Sequence, residues 1–160
     1  MDLKLNKMKK TIILSVIIGM LVTGVYAADK VKKDDDKAGT VSYAVLNQFR
    51  EDFRDAKNVT WTVSATSQKA EFVENNVKKT AFYSLSGEFL GTTQKVSYDA
   101  VPAKAKKEIA DTYKDYSVTD VIQLETNEGV QHFVDLKSTS QEVLVRVAPS
   151  ATVYFFQQVK

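Results

Sequence analysis

The sequence contains no cysteine, and this absence excludes several kinds of protein. The chain forms no disulfide bonds, although an exported protein would be allowed to have them. It also lacks the cysteine after a signal peptide that carries the lipid of bacterial lipoproteins. Its stability must therefore come from an ordinary hydrophobic core, which a chain of this length is able to bury.

Histidine is almost as scarce, since His132 is the single one in the chain. A zinc site built from His and Cys ligands is therefore unavailable. A Ser-His-Asp arrangement would need an acid beside His132, and Asp120 and Asp135 on neighbouring predicted strands are the candidates. No serine lies in a Gly-x-Ser-x-Gly context, and the glycines form no phosphate-binding loop. We expect His132 to be a structural strand residue, and the chain to be a non-enzyme without a metal or cofactor.

A long uncharged apolar run occurs near the N-terminus, TIILSVIIGMLVTGV at residues 11–25. Lysines precede this run, and Val25 and Ala27 follow the pattern that a signal peptidase prefers. We therefore predict a signal peptide over residues 1–27, cleaved after Ala27, and a periplasmic or secreted protein without stable membrane insertion. The alternative is a retained membrane anchor, for which 15 residues are short because a span needs roughly 20.

Neither sign of charge dominates the remaining sequence. The whole chain has 22 basic and 20 acidic side chains, and four Lys and one Asp of these belong to the predicted signal peptide. The remainder is close to neutral, so we expect no nucleic-acid partner. Residues 28–39 are charged and nearly free of apolar side chains, which predicts a flexible leader.

Two helices are predicted from apolar residues spaced four apart. The first has Thr40 as a plausible N-cap and ends near Ala56, and the second begins near Pro102. The apolar residues of the first helix are at positions 41, 45, 49 and 53. They match those of the second helix, at positions 101, 105, 109 and 113, at a shift of 60 residues. Four strands are predicted after each helix, near 59–65, 69–74, 78–85 and 88–96, and near 117–126, 129–137, 141–148 and 151–158.

The order of elements predicts an α+β fold made of a tandem repeat. Each repeat is a helix plus a four-stranded antiparallel meander, and the two repeats cover about residues 40–97 and 98–160 of a single domain. One repeat alone would expose a whole sheet face. We therefore expect both helices to pack on one face of a shared, curved antiparallel sheet.

Several stretches resemble the PepSY-like, β-lactamase-inhibitor-like family of small exported proteins common in the Bacteroidetes. The matching features are Phe53, Tyr113, NVTW at 58–61, AEF at 70–72, AFYSLSGEFLGTT at 81–93, and VPAKAKKEI at 101–109. The resemblance implies two helices against one curved sheet, whose face grips an enzyme in the inhibitors. This chain lacks the paired disulfides of the secreted inhibitors and has no recognisable inhibitory loop. Inhibition would therefore be an analogy of fold only.

The sheet face turned away from the helices is the best candidate for function. If Ala81 and Tyr83 face the helices, alternation along the strands places a set of large side chains on the opposite, open face. That set is Phe82, Leu144, Arg146, Tyr154 and Phe156. Aromatic residues and Arg are enriched in binding hot spots, and an exposed apolar patch usually marks a partner site. We predict a protein or peptide partner there, although a loop, the leader or a second subunit could instead cover this face.

The alternative function is a small-ligand sensor or carrier with a pocket between the helices and the sheet.

A separate expectation concerns AEFVEN at 70–75 and QHFVDL at 131–136, which look alike. Alternation places Phe72 on the same face as Leu136 and turns Phe133 to the other face, since a shift of one residue changes the face in a strand. We therefore expect scaffold in two registers rather than a repeated site.

Overall fold

The structure is a computed structural model that describes residues 40–159. The predicted signal peptide, residues 1–27, and the predicted leader, residues 28–39, lie outside the described residues. The fold is α+β, with a helix and four strands followed by a short 3-10 turn, a second helix and four more strands. The helices are α1 (Tyr43–Asp52) and α2 (Ala103–Thr112). The strands are β1 (Lys57–Val63), β2 (Ser67–Glu74), β3 (Val77–Ser84), β4 (Phe89–Lys95), β5 (Ser117–Thr126), β6 (Gly129–Lys137), β7 (Glu142–Val147) and β8 (Val153–Gln158).

Both helices are shorter than the sequence pattern indicated. Ser42 rather than Thr40 caps α1, and its hydroxyl accepts a hydrogen bond from the backbone N–H of Val45 at 3.3 Å. The helix ends at Asp52, where Phe53 leaves the helical conformation while its N–H still bonds to the Phe49 carbonyl. The helix α2 has Pro102 as its N-cap, close to the predicted first turn. In the described part of the chain, no helix is long and apolar enough to cross a membrane.

All eight strands form one open antiparallel sheet in the order of the sequence, from β1 to β8. Each inner strand therefore pairs with the strand that precedes it and the strand that follows it, and β1 and β8 form the two edges. Register shifts occur between β1 and β2, β3 and β4, β5 and β6, and β7 and β8. Such bulges bend a strand and increase its twist locally.

The two helices lie on the same face of the sheet, and each helix has its own apolar cluster beneath it. Under α1, Val45 and Phe49 pack against Phe72 and Tyr83, and the ring centroids of Phe49 and Phe72 are 5.1 Å apart. Under α2 the packing is aliphatic, with these buried members: Val101, Ala105, Ile109, Val121, Val134, Leu136, Val143, Val145 and Val147. Burying such side chains contributes about 1.5–3 kcal/mol each and accounts for much of the stability of the fold.

The two similar stretches differ in structure as their alternation predicted. Phe72 lies in the cluster under α1 and Leu136 lies in the cluster under α2. Phe133 points to the opposite face of the sheet, where it belongs to a third apolar cluster together with Phe82 and Leu124. The prediction that Phe72 corresponds to Leu136 rather than to Phe133 is confirmed.

The pairing of β4 with β5 joins the two halves of the sheet, and Gly91 allows the strands to approach there. A Cβ atom at Gly91 would lie 2.8 Å from the carbonyl oxygen of Glu125 and 3.1 Å from a methyl group of Leu124. The backbone of Gly91 also has a φ of +152°, which side-chain-bearing residues rarely adopt. Any larger residue would therefore push β4 away from β5.

We expect Gly91→Ala to lower the free energy of unfolding by more than the roughly 1–3 kcal/mol that backbone strain alone costs, because the methyl group also meets the Glu125 carbonyl. The measurement is urea unfolding followed by circular dichroism. Gly87→Ala is the matched control, since Gly87 also has a positive φ of +94° but its Cβ would make an ordinary contact at 3.5 Å. Equal losses in the two variants would contradict the role of close strand approach.

Candidate functional site on the open face of the sheet

The open face is the sheet face that is turned away from α1 and α2. Antiparallel partners share a face, so the register identifies its residues. Ala81 and Tyr83 lie in the cluster under α1, and Phe82 between them lies in a separate cluster on the open face. Val143 and Val145 likewise lie under α2, and Leu144 between them lies on the open face. The alternation along the strands therefore assigned these side chains to the correct face.

The expectation that this whole set is exposed is wrong for two of its members. Phe82 is only 2% exposed and Leu144 is 8% exposed. Phe156 and Arg146 are half-buried, while Tyr154 is 46% exposed. The reason is that the neighbouring strands also place large apolar side chains on this face, and these side chains cover one another.

Phe82 and Leu144 belong to an apolar cluster that runs across β3 to β8. Its buried members are Phe82, Leu90, Leu124, Phe133 and Leu144, and Ile122, Phe156 and Val159 pack against it. The rings of Phe133 and Phe156 meet edge to face with their centroids 5.5 Å apart. No helix among residues 40–159 belongs to this cluster, so neighbouring strands alone provide its apolar contacts within the described chain.

A groove of about 680 Å³ lies beside this cluster on the open face. Residues from β1 to β5 line it, and Phe82 and Ile122 form its apolar border with the cluster. Charged side chains of the open face line the groove as well: Lys69, Glu71, Lys78, Lys95 and Asp120. We call this surface the charged groove.

Two ion pairs lie among the side chains of the charged groove. Lys69 contacts Glu71 at 3.0 Å, and Lys95 contacts Asp120 at 2.9 Å. Lys78 is exposed and faces the same side, because it is the cross-strand partner of Val73 in a register that pairs Thr80 with Glu71. In each pair one side chain is exposed, Glu71 at 54% and Lys95 at 69%, and the other is half-buried. Ion pairs that solvent reaches in this way contribute about 0–1 kcal/mol, so a partner's charges are able to replace them at low cost.

Sequence reasoning missed the charged groove apart from Phe82. Charged residues that alternate with apolar ones along β2 and β3 are the ordinary pattern of a solvated sheet face. The signal that could have identified the groove is the accumulation of three lysines, Lys69, Lys78 and Lys95, on one face of three successive strands.

Arg146 and Tyr154 form a second polar element of the open face. They are direct cross-strand partners on β7 and β8, and the guanidinium carbon lies 5.0 Å from the centroid of the tyrosine ring. A cation–π contact at an exposed site contributes about 0.5–1 kcal/mol and holds the guanidinium in place. Arg146 is also the cross-strand partner of Phe133, which places it next to the apolar cluster.

The open face also carries the two carboxylates that the sequence offered as partners for His132. Asp120 and Asp135 are direct cross-strand partners on β5 and β6. Burial raises the pKa of the Asp135 carboxyl, and the nearby Glu142 raises it further. One oxygen of Asp135 is buried and has no hydrogen-bond partner among residues 40–159. These groups form a crowded carboxyl cluster in which Asp135 holds its proton more strongly than an exposed aspartate.

The sheet separates His132 from these carboxylates, since His132 lies on the helix side. Its cross-strand neighbours are Gln123 and Val147, so neither a serine nor an acid lies directly opposite it. His132 is 6% exposed, and burial lowers its pKa. The arrangement does not bring together the nucleophile, base and acid that a hydrolase of this type requires.

The helix–sheet interface, where a small-ligand pocket was the alternative, is filled with side chains. Phe49 contacts Phe53, Trp61 and Phe72, with ring centroids between 5.1 and 5.2 Å apart. A groove of about 440 Å³ lies between α1 and β1, and another of about 370 Å³ lies between α1 and the end of β5.

Within residues 40–159, no group of three or more His, Asp or Glu side chains is placed to hold a metal ion.

We expect Phe82→Ala to lower the free energy of unfolding by about 3–5 kcal/mol, because it removes a buried aromatic side chain and leaves a cavity. Tyr154→Ala is the comparison on the same face and should cost about 1 kcal/mol or less, since Tyr154 is half exposed. Urea unfolding monitored by circular dichroism measures both losses. Similar small losses would show that Phe82 is not part of a packed cluster.

The lowered pKa of His132 predicts that stability falls as the pH falls through about 6.5, the pKa of histidine in an unfolded chain. In that range the unfolded chain takes up a proton that the folded protein does not, so acid favours unfolding. Asp135 acts with the opposite sign and in a lower range, because its pKa is raised from 3.8. The test compares the free energy of unfolding at about pH 7.5 and about pH 5.5 for the wild type and His132→Gln. The variant should lose less stability between the two pH values, and an unchanged loss would contradict the assignment.

Comparisons with known proteins place the fold but not the activity. No protein-family model and no curated relative matches the sequence. Among solved structures, the chain is similar to a BLIP-like protein of Bacteroides fragilis, with 16% identity, a TM-score of 0.68, and coverage of 79% of this chain and 92% of that one. A DUF2874 family protein of Bacteroides uniformis has 14% identity, a TM-score of 0.68, and coverage of 75% and 91%. A candidate periplasmic protein of Bacteroides eggerthii has 17% identity, a TM-score of 0.66, and coverage of 75% and 90%.

These similarities confirm the resemblance to BLIP-like proteins at the level of the fold. The PepSY-like part of the predicted resemblance stays a prediction. At identities of 14–17% the structures share an architecture, whereas surface residues are free to differ. The chain therefore has the α+β fold, with two helices on an open eight-stranded antiparallel sheet, that is found in BLIP-like and DUF2874 proteins of Bacteroides.

Proposed function

We propose that this protein is an exported, non-enzymatic binding protein that holds a segment of another protein on the open face of its sheet. The observation that carries the proposal is the charged groove, a concave surface of about 680 Å³ lined by residues from five neighbouring strands. Side chains that line a groove across several strands are able to contact an extended segment along its length. The absence of a catalytic set around His132 is consistent with binding rather than chemistry.

The charges of the groove favour a partner segment that carries a carboxylate. Lys69 and Lys95 already have acidic partners within the groove, whereas Lys78 is exposed there and forms no ion pair with any residue between 40 and 159. A partner carboxylate near Lys78 would add a charge–charge contact without breaking an existing one. Opposite charges across an interface also guide the encounter and select the partner.

Arg146 and Tyr154 supply a second contact region for the partner. Both residue types are enriched among the side chains that dominate binding energy. The cation–π contact fixes their geometry before binding, which reduces the conformational entropy that would be lost. Phe82 and Leu144 are buried beneath the same face and act as its rigid floor, while Phe156 is half-buried at its edge.

Inhibition of an exported enzyme is the sharper form of this proposal. It is supported by the fold shared with a BLIP-like protein and by the predicted signal peptide. The similarity to a candidate periplasmic protein supports a periplasmic or secreted location after cleavage at Ala27. In this form the partner is a hydrolase, and the protein slows it by occupying a surface that the substrate needs.

We further infer that residues 40–159 form one domain built from two copies of the same unit. Phe53 and Tyr113, which are 60 residues apart, both end their helix, and each donates its N–H to the carbonyl four residues earlier. The register shifts also recur in corresponding strand pairs, first between β1 and β2 and between β5 and β6, then between β3 and β4 and between β7 and β8. Shared helix ends and shared bulges are specific features, and they support duplication more strongly than the apolar stripes do.

The test begins with residues 28–160 as bait in a periplasmic extract, followed by purification of the captured partner. We expect Lys78→Glu and Arg146→Ala each to weaken binding about tenfold or more, or ~1.4 kcal/mol, because they reverse or remove a charge on the open face. Calorimetric titration measures the dissociation constants. For an inhibitor, the activity of the captured hydrolase should also fall as the protein is added.

Lys104→Glu is the matched control, since Lys104 is an exposed lysine on α2, on the other side of the sheet. This variant should bind as the wild type does. A partner that binds all variants equally would show that it uses a different surface, and a failure to capture any protein would count against a binding function.

A further inference from the structure

The two edges of the sheet differ in how well they are protected against pairing with another strand. At the β1 edge, Lys57 places a charge, Asn58 has a positive φ of 54°, and the register shifts between Lys57 and Thr60. Charges and bulges of this kind are the usual protection of an edge strand. At the β8 edge the register against β7 also shifts, between Phe155 and Gln157, but the stretch VYFFQQV at 153–159 contains no charge and no proline. An uncharged stretch rich in aromatic and β-branched residues pairs readily with a further strand.

The backbone of β8 also has groups that point away from the sheet. The Ala148 N–H donates to the Thr152 carbonyl at 2.9 Å, so Ala148 and Thr152 form a hydrogen-bonded pair. Such pairs alternate with non-bonded ones along an antiparallel ladder. The pair Tyr154–Arg146 is therefore bonded, and the N–H and C=O groups of Val153 and Phe155 point outward from the edge.

The side chains at this edge are large and accessible. Phe155 is 61% exposed and Tyr154 is 46% exposed, although both are aromatic residues in a strand. The next residue, Phe156, packs on Phe133 and so joins β8 to the apolar cluster of the open face. A strand added to β8 would thus extend an existing apolar cluster and cover exposed aromatic surface.

We propose that the occupant of this edge is the β8 strand of a second copy of the chain. A two-fold axis through Phe155 would pair Phe155 with its own counterpart, and Tyr154 with Phe156 of the second copy. In this register the backbone groups of the two Phe155 residues that point out of each edge face each other. The two Phe155 side chains lie opposite one another on one face of the sheet, and Tyr154 lies opposite Phe156 on the other face. Cross-strand aromatic pairs contribute favourably to strand pairing.

The charge pattern favours a second copy over a partner segment that carries charge. Between Val153 and Val159 neither strand of the pair carries a charge, so no like charges meet across the axis. A charged partner segment would gain no ion pair at this edge, in contrast to the charged groove. Pairing around a two-fold axis also closes the assembly at a dimer, because each copy uses its β8 edge once.

The test is the molar mass of residues 28–160, a segment that retains every described residue, by size-exclusion chromatography with light scattering. We expect a concentration-dependent dimer, and at least tenfold weaker association for Phe155→Lys, which places a charge on the axis. Val59→Lys is the matched control, because Val59 is an exposed residue of the β1 edge and should leave the dimer intact. Phe155 lies on the helix side of β8, so its substitution leaves the charged groove unchanged.

The absence of cysteine allows a second, register-specific measurement. On the proposed axis the two Phe155 Cα atoms would be about 5.5 Å apart, within the range that a disulfide spans. Phe155→Cys should therefore form a covalent dimer under mild oxidation, whereas Val59→Cys should not. A single-chain mass at every concentration, equal effects of the two lysine variants, or equal crosslinking of the two cysteine variants would each overturn the proposal. If Phe155→Lys fails to fold, the cysteine pair still decides between the outcomes.

Discussion

The pairing of β4 with β5 is the contact on which the rest of the structure depends. Each half of the chain has its own helix and its own four strands, and this seam makes one sheet of them. Four residue pairs form it, from Thr92 with Glu125 to Lys95 with Ile122. Gly91 lies at the end of this ladder, where the Glu125 carbonyl leaves no room for a side chain.

The two features that define the open face both cross this seam. The apolar cluster joins Phe82 and Leu90 of the first half to Leu124 and Phe133 of the second. The charged groove draws on β4 through Lys95 and on β5 through Asp120 and Ile122. Neither feature exists within one half alone, so the candidate binding surface is a property of the joined sheet. The clusters under α1 and α2, by contrast, each belong largely to one half.

The two ends of the open face differ in packing and in charge. Toward β8 it is apolar and closely packed, and Phe133 and Leu144 there are buried. Toward β1 it is lined by charged side chains, whose ion pairs each have one exposed partner and contribute little to stability. A rigid apolar floor beside adaptable charged walls is an arrangement suited to holding a partner segment, because the backbone of the site does not need to reorganise.

Alternation and helical spacing predicted much of the fold, because each depends on neighbours in sequence. Each of the eight strands overlaps its predicted position, with ends that differ by up to two residues, and Phe82 and Phe133 point to the face that alternation assigned. Helix ends were less predictable, since Ser42 is chosen as the cap over Thr40 by its position relative to the Val45 N–H. The burial of Phe82 was not predictable, because it depends on Leu124 and Phe133, which lie far away in sequence.

The sequence by itself therefore determined the elements, their order and the face of the sheet on which most strand residues lie. These properties follow from local geometry, in which successive side chains of a strand point to opposite sides. Only the tertiary structure decided which open-face residues are buried. It also brings lysines of three strands together in one groove and places His132 on the opposite face of the sheet from Asp120 and Asp135. Those properties depend on the register in which neighbouring strands pair and on how side chains of several strands cover one another, and no local pattern sets either of them.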